Sequence, residues 1–229
     1  MKETFIDIVG LHIQEPVTVL TNVIITAFCL FFYFQLNVIS IQPKLKKYWR
    51  LFFLLFGVSA LIGALAHGFK SYFQPNVFYY IWLIMNLSGL SITYYLLRVN
   101  IEMSFVSDEN KIRLHYLVVL IILIFSAITI ITNDFLIVKI NAGIAILVTL
   151  IRHYRAYKKG YTGSGYIAFG FAFSTLSIIV HSTKLSLNEW FNFKDISHVI
   201  MNISLYIIFI GVLLKLKFIE EVSTREKIQ

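Results

Sequence analysis

Residues 114–151, LHYLVVLIILIFSAITIITNDFLIVKINAGIAILVTLI, decide the fold class of this chain. They contain two apolar runs, Leu114 to Ile131 and Phe135 to Ile151, which only the turn TND separates. Each run has about the length that is needed to cross roughly 30 Å of hydrocarbon. The sequence therefore predicts two membrane-spanning helices that run in opposite directions.

Five further apolar runs lie before and after this stretch, with short polar connections between them. Of the 229 residues, 58% are hydrophobic and 14% charged, which is far more apolar surface than a soluble domain of this size can bury. We therefore predict an all-α integral membrane bundle of seven transmembrane helices, forming a single domain over residues 1–229. The expected helices are about 17–41, 51–67, 77–97, 114–131, 135–151, 166–181 and 196–214.

The net charge of +8 is placed in alternate connections, which is typical of membrane topology and not of nucleic-acid binding. Of the 20 Lys and Arg residues, 15 fall after helices one, three, five and seven, and 5 fall on the other side. Because positive charge stays in the cytoplasm, we expect the N-terminus outside and the C-terminus inside. The lone cysteine, Cys29, excludes an internal disulfide and a cysteine metal cluster.

Polar residues gather at the expected outer end, in residues 181–202, HSTKLSLNEWFNFKDISHVIMN. Asp195, His198 and Asn202 are spaced by three and four, so they share one face of helix seven. Polar side chains in a membrane helix face the bundle interior or a wet cavity. We therefore expect these three side chains to point inward.

Helix two brings a further histidine to the same end. Gly57, Ala60, Gly63, Ala64 and His67 share one helix face, and small residues in a membrane helix allow a neighbouring backbone to approach closely. His67 is therefore expected to point into the bundle.

Zinc held by His67, His181 and His198, with water as fourth ligand, is the chemistry that these residues predict. Zinc lowers the pKa of its water and polarises a carbonyl, which suits hydrolysis of an amide or ester. Asp195 is expected either to orient a histidine or act as general base, or to cap helix seven. Glu15, with His12 one turn earlier, either binds a cation, braces the site or caps helix one.

Seven spans, a histidine that closes helix two, an EPxT segment at Glu15 and a DxxH motif at Asp195 resemble the CREST superfamily, most closely its uncharacterised bacterial branch. That superfamily includes alkaline ceramidases, adiponectin and progestin-type receptors and Per1-like proteins. The resemblance implies zinc held by one helix-two histidine and by an HxxxH motif in helix seven. His67 and His198 match two of these ligands, whereas Asn202 stands at the second histidine of HxxxH.

The superfamily also places a serine four residues before the helix-two histidine. This position is Gly63 here, so the resemblance implies Ser59, one turn earlier, as a catalytic candidate beside Asp195. His181 would have to replace the missing histidine ligand.

We therefore expect a zinc-dependent, ceramidase-like hydrolase in a bacterial inner membrane, with a membrane lipid as substrate and no nucleic-acid partner. The alternative is a non-catalytic receptor, sensor or transporter with an outer polar ligand pocket. A variant of this alternative is haem binding through His67 and His198.

Overall fold

The computed structural model describes residues 4–40 and 43–226, in which seven long helices follow a short β-hairpin. Each helix is long and apolar enough to cross a membrane, which indicates a multi-pass membrane protein. The predicted seven-helix fold is thus confirmed. The elements are β1 Phe5–Ile8, β2 Leu11–Gln14, α1 Pro16–Gln35, α2 Pro43–Gly68, α3 Pro75–Glu102, α4 Asp108–Thr132, α5 Phe135–Lys158, α6 Ser164–Thr183 and α7 Phe193–Glu226.

Most helices extend beyond the apolar runs that predict them. Helix α2 begins at Pro43 instead of residue 51, and α7 continues to Glu226 instead of residue 214. Hydropathy marks only the part that suits hydrocarbon, whereas backbone hydrogen bonding continues through Lys, Arg and Glu, which are good helix formers. The first helix differs in the other direction: α1 ends at Gln35 before a 3₁₀ turn, and its expected end at residue 41 lies outside the described residues.

The hairpin was not predicted, and it determines how the chain enters α1. Val9 and Gly10 both have positive φ, as in the tight turns that join antiparallel strands. The backbone N–H of Glu15 donates to the carbonyl of Thr4 at 2.8 Å. Pro16 then occupies the first turn of α1, where its missing N–H costs nothing. Glu15 is thus held at the junction of hairpin and helix.

The small-residue face of α2 packs against α1. A Cβ added to Gly57 would lie 3.0 Å from the Cβ of Cys29, and one added to Gly63 would lie 3.4 Å from Oδ1 of Asn22. Ala60 and Ala64 on the same face are buried. Close backbone approach through small residues is a main source of helix association in lipid.

Helices α6 and α7 approach each other even more closely. A Cβ on Gly211 would lie 2.7 Å from the carbonyl oxygen of Gly163 and 2.8 Å from the backbone nitrogen of Ile167. A Cβ on Gly170 would lie 3.1 Å from the backbone nitrogen of Ile208. Only glycine fits at these positions without moving one of the two helices.

Polar side chains join α3 to α5 in a similar way. The hydroxyl of Thr93 donates to the amide oxygen of Asn141, and Nδ2 of Asn100 donates to Oγ1 of Thr149 at 2.7 Å. All four side chains are buried, so each bond satisfies groups that lipid could not.

We expect Gly211→Ala to destabilise the bundle by about 1–3 kcal/mol, because the new methyl group overlaps the backbone of α6. Gly143→Ala on α5 is the matched control, since a Cβ there meets no heavy atom within 4 Å. Thermal unfolding of the two variants in the same detergent measures the difference. Equal melting temperatures for both would contradict the close packing of α6 on α7.

Candidate functional site

Ionisable side chains collect at one end of the bundle, where α1 and α7 begin and α2 and α6 end. We call this the histidine end and define it by six residues: Glu15, His67, His181, Lys194, Asp195 and His198. Glu15 just precedes α1, His67 lies in the last turn of α2, and His181 lies in the last turn of α6. The other three residues lie in the first two turns of α7.

Glu15 joins α1 to two other helices. Oε2 of its carboxylate lies 2.7 Å from Nδ1 of His67, and Oε1 accepts a hydrogen bond from Nζ of Lys194. The carboxylate is 15% exposed. Burial by itself raises the pKa of Glu15, but the hydrogen bonds and charges of His67 and Lys194 outweigh it and lower the pKa to about 2. Glu15 is therefore ionised at neutral pH.

Asp195 is fully buried, and both of its carboxylate oxygens are hydrogen-bonded. Oδ1 accepts from the hydroxyl of Thr18 at 2.6 Å, and Oδ2 accepts from the backbone N–H of Asn192 at 2.7 Å. The side chain of Asn192 in turn accepts from the backbone N–H of Lys194 at 2.9 Å. This reciprocal pattern is a capping box at the start of α7. Asp195 thus caps α7 and ties it to α1.

His198 is held by α1 through its Nδ1, which lies 3.0 Å from Oγ1 of Thr21. The same hydroxyl lies 3.0 Å from the carbonyl oxygen of Thr18, its acceptor. A threonine hydroxyl has a single proton, so with that proton given to Thr18 the imidazole donates from Nδ1. Nε2 of His198 then keeps its lone pair for another partner.

His67 is oriented in a related way, because its Nδ1 lies 2.7 Å from Oε2 of the ionised Glu15 carboxylate and therefore carries its proton on that side. Two imidazoles, from α2 and α7, are therefore oriented by side chains at the start of α1, with each Nε2 left for a further partner. In metal sites, imidazole ligands are oriented in this manner by groups outside the coordination shell.

His181 completes the group of three histidines but is held by aromatic rings. Its ring lies 5.6 Å from that of Phe135 and 5.1 Å from that of Phe193, and its buried Nδ1 has no hydrogen-bond partner among the described residues. The ring of Trp82 lies 6.0 Å from His67 and 6.5 Å from Phe135. Phe135, Phe193 and Trp82 form what we call the aromatic wall. This wall links His181 to His67, because the ring of Trp82 contacts those of both His67 and Phe135.

The expected zinc centre is not seen preformed among the described side chains. Within residues 4–40 and 43–226, no three His, Cys, Asp or Glu side chains are arranged to hold a metal ion. Asn202, at the second histidine position of the CREST motif, turns its amide group to the carbonyl of His198 at 3.1 Å.

Two other candidate residues lie apart from the imidazoles. Ser59 is two turns before His67, about 12 Å along the helix axis, and its hydroxyl points to the carbonyl of Met85 on α3 at 3.5 Å. His12 pairs with the exposed Asp7 of the hairpin at 2.9 Å.

The sequence reading missed Thr21 and Lys194 as partners within the site. Thr18 and Thr21 are buried polar residues three positions apart in an apolar run, and this spacing is the available signal for an inward face. The sequence contains no comparable signal for the pairing of Lys194 with Glu15.

These observations define a seven-helix protein of membrane-spanning composition with a polar cluster at one end of the bundle. The chain belongs to DUF6962, a family of unknown function, whose model matches residues 17–217. No curated protein and no solved structure matches the chain. The matched region contains all three histidines and Asp195 and begins just after Glu15. Nothing in the match connects this family to the CREST superfamily.

We expect Glu15→Gln to remove the dependence of stability on acid pH. The pKa of Glu15 is lowered from 4.5 to about 2 in the folded protein, so its stabilising contribution is complete above about pH 4.5. This contribution is lost as the pH falls from 4.5 towards 2. Melting temperatures of the wild type and of Glu15→Gln should therefore differ most at pH 7, differ less at pH 3 and converge as the pH approaches 2.

Asp7→Asn is the control for this measurement, because the Asp7 side chain is 64% exposed and its pairing with His12 contributes little. A difference between wild type and Glu15→Gln that stays constant from pH 7 to pH 3 would refute the assignment.

Proposed function

We propose that this chain is a multi-pass membrane protein that binds a small ligand at the histidine end, in the manner of a receptor, sensor or transporter. The observation that carries this proposal is the pair of oriented imidazoles: Nδ1 of His67 lies against Glu15, which just precedes α1, and Nδ1 of His198 lies against Thr21 of α1. If the cluster had only a structural role, there would be no reason for Nε2 of both imidazoles to remain without a partner among the described residues.

The chemistry of the ligand follows from the groups that surround it. The Nε2 lone pairs of His67 and His198 accept N–H or O–H donors. The half-buried rings of the aromatic wall offer apolar contact on the other side. Glu15 and Asp195 already have partners inside the protein. We therefore propose a compact ligand that has a hydrogen-bond donor next to an apolar or aromatic part.

In our proposal, the ligand reaches the histidine end from outside the cell. The excess of Lys and Arg at the opposite end supports an outer position of the histidine end, because positively charged segments stay in the cytoplasm.

A zinc-dependent lipid hydrolase of the CREST type is the second candidate. It is favoured by the same orientation of His67 and His198, since ligand histidines in metal sites are held through their second nitrogen. It is disfavoured by the absence of a third ligand in position among the described side chains. The experiment below separates the two functions.

For a ligand-binding protein, we expect purified wild type in mild detergent to contain less than stoichiometric zinc. Native mass spectrometry should show a bound small molecule that is lost in His198→Ala and in His67→Ala. His12→Ala should retain it, because His12 lies in the exposed hairpin away from the site. One zinc per chain, lost in both site variants, would instead establish the hydrolase. A visible absorption spectrum typical of haem would contradict both functions and would indicate haem binding instead.

Orientation can be tested by cysteine labelling in intact cells. We expect Glu189→Cys, in the exposed connection between α6 and α7, to react with a membrane-impermeant maleimide, and Lys159→Cys at the other end to react only after lysis. Wild type supplies the unlabelled background, since Cys29 is fully buried. Labelling of Lys159→Cys alone in intact cells would reverse the proposed topology.

A further inference from the structure

A cavity of about 680 Å³ lies at the end opposite the histidines, between the C-terminal ends of α3 and α5 and the last third of α7. Four cations line it: Arg152, Arg155, Lys159 and Lys215. Glu102 is the acidic residue in the lining, and its Oε1 already lies 3.5 Å from Nε2 of His115. The cavity is therefore strongly electropositive.

The cations of this cavity are not neutralised from within the protein. Across the described part of the chain, no ion pair joins Arg152, Arg155, Lys159 or Lys215 to a carboxylate. Nζ of Lys215 donates instead to the hydroxyl of the buried Ser164 at 3.2 Å. Nε of Arg152 is shielded from water and has no hydrogen-bond partner. An unpaired buried N–H of a charged group is costly, so this site lacks an acceptor.

Topology does not account for this arrangement. Cations that only keep a loop in the cytoplasm are best placed in water. Here Arg152 and Lys215 are half-buried side chains on facing helices, and they point into one common space. Positioning of two long side chains in this way costs conformational entropy that a bound anion would offset.

Most of the remaining lining is apolar and extends towards the outer surface of the bundle, although Ser104, Tyr161 and Thr162 add hydroxyl groups. Val148, Ile151 and Phe218 line the same cavity, and each has more than a third of its surface exposed. A ligand that fills this space thus needs an anionic group for the cations and a hydrocarbon part for the apolar wall. Phosphate matches arginine and lysine through charge-assisted hydrogen bonds.

We propose that this cavity binds the phosphate headgroup of an anionic phospholipid, with part of an acyl chain against the apolar wall. Basic pockets between helices at the cytoplasmic side of membrane proteins bind such headgroups. The inference is independent of the function proposed for the histidine end. The basic residues at the ends of α5 and α7 thus bind a lipid in addition to setting the orientation of the protein in the membrane.

The test uses the delipidated full-length chain in detergent and titrates two lipids that have identical dioleoyl chains. Dioleoyl phosphatidylglycerol should raise the melting temperature in a saturable manner, whereas dioleoyl phosphatidylcholine should not. Sodium phosphate at millimolar concentration forms a third arm. An effect of phosphate alone as large as that of the anionic lipid would overturn the assignment to a lipid.

The variants Lys215→Gln and Lys159→Gln should each weaken the apparent affinity for phosphatidylglycerol about fivefold, the equivalent of about 1 kcal/mol per cation. Lys159 is exposed, so its replacement does not endanger folding. Lys217→Gln is the matched control, because Lys217 lies two residues from Lys215 on an exposed face of α7 outside the cavity. The proposal would be overturned if Lys215→Gln and Lys159→Gln bound phosphatidylglycerol as tightly as the control Lys217→Gln. It would also be overturned if both lipids stabilised the protein equally.

Discussion

The contacts of the half-buried Glu15 carboxylate are the interaction on which the arrangement of the histidine end depends. A charge that leaves water must find partners, and Glu15 finds them on α2 and α7 at the same time. The hairpin and Pro16 hold its backbone at the start of α1, so the carboxylate lies where α2 and α7 can both reach it. Three helices are thereby fixed relative to one another at one point.

Further hydrogen bonds between α1 and α7 lie next to Glu15 and form a network with it. Thr18 binds Asp195 and Thr21 binds His198, so successive turns of α1 each engage one residue of α7. These bonds explain why Asp195 acts as a cap and a tether in this fold. The contact of Thr21 also leaves Nε2 of His198 for a further partner, as the contact of Glu15 does for Nε2 of His67. The orientation of the site is thus a consequence of how α1 packs.

The two ends of the bundle satisfy their charges in different ways. At the histidine end, both carboxylates have partners inside the protein, and what remains free is imidazole nitrogen. At the opposite end, four cations share a cavity without carboxylate partners among the described residues. A neutral hydrogen-bonding ligand suits the first end, and an anion suits the second. We thus propose two chemically distinct sites, one near each proposed membrane surface.

The sequence by itself determined the number of helices, because an apolar run of membrane length can satisfy its backbone in lipid only as a helix. It also placed His67 and His198 on inward faces, since small and polar residues at helical spacing cannot all face lipid. The resemblance to CREST proteins that we expected from the sequence points to the same two histidines, but the family match does not support it, and Asn202 and Ser59 do not complete that pattern. Only the tertiary structure decided that Lys194 pairs with Glu15, 179 positions away, and that Asp195 is engaged on both oxygens. Hydropathy reports the length and face of each helix, whereas such pairings depend on which helices become neighbours in space.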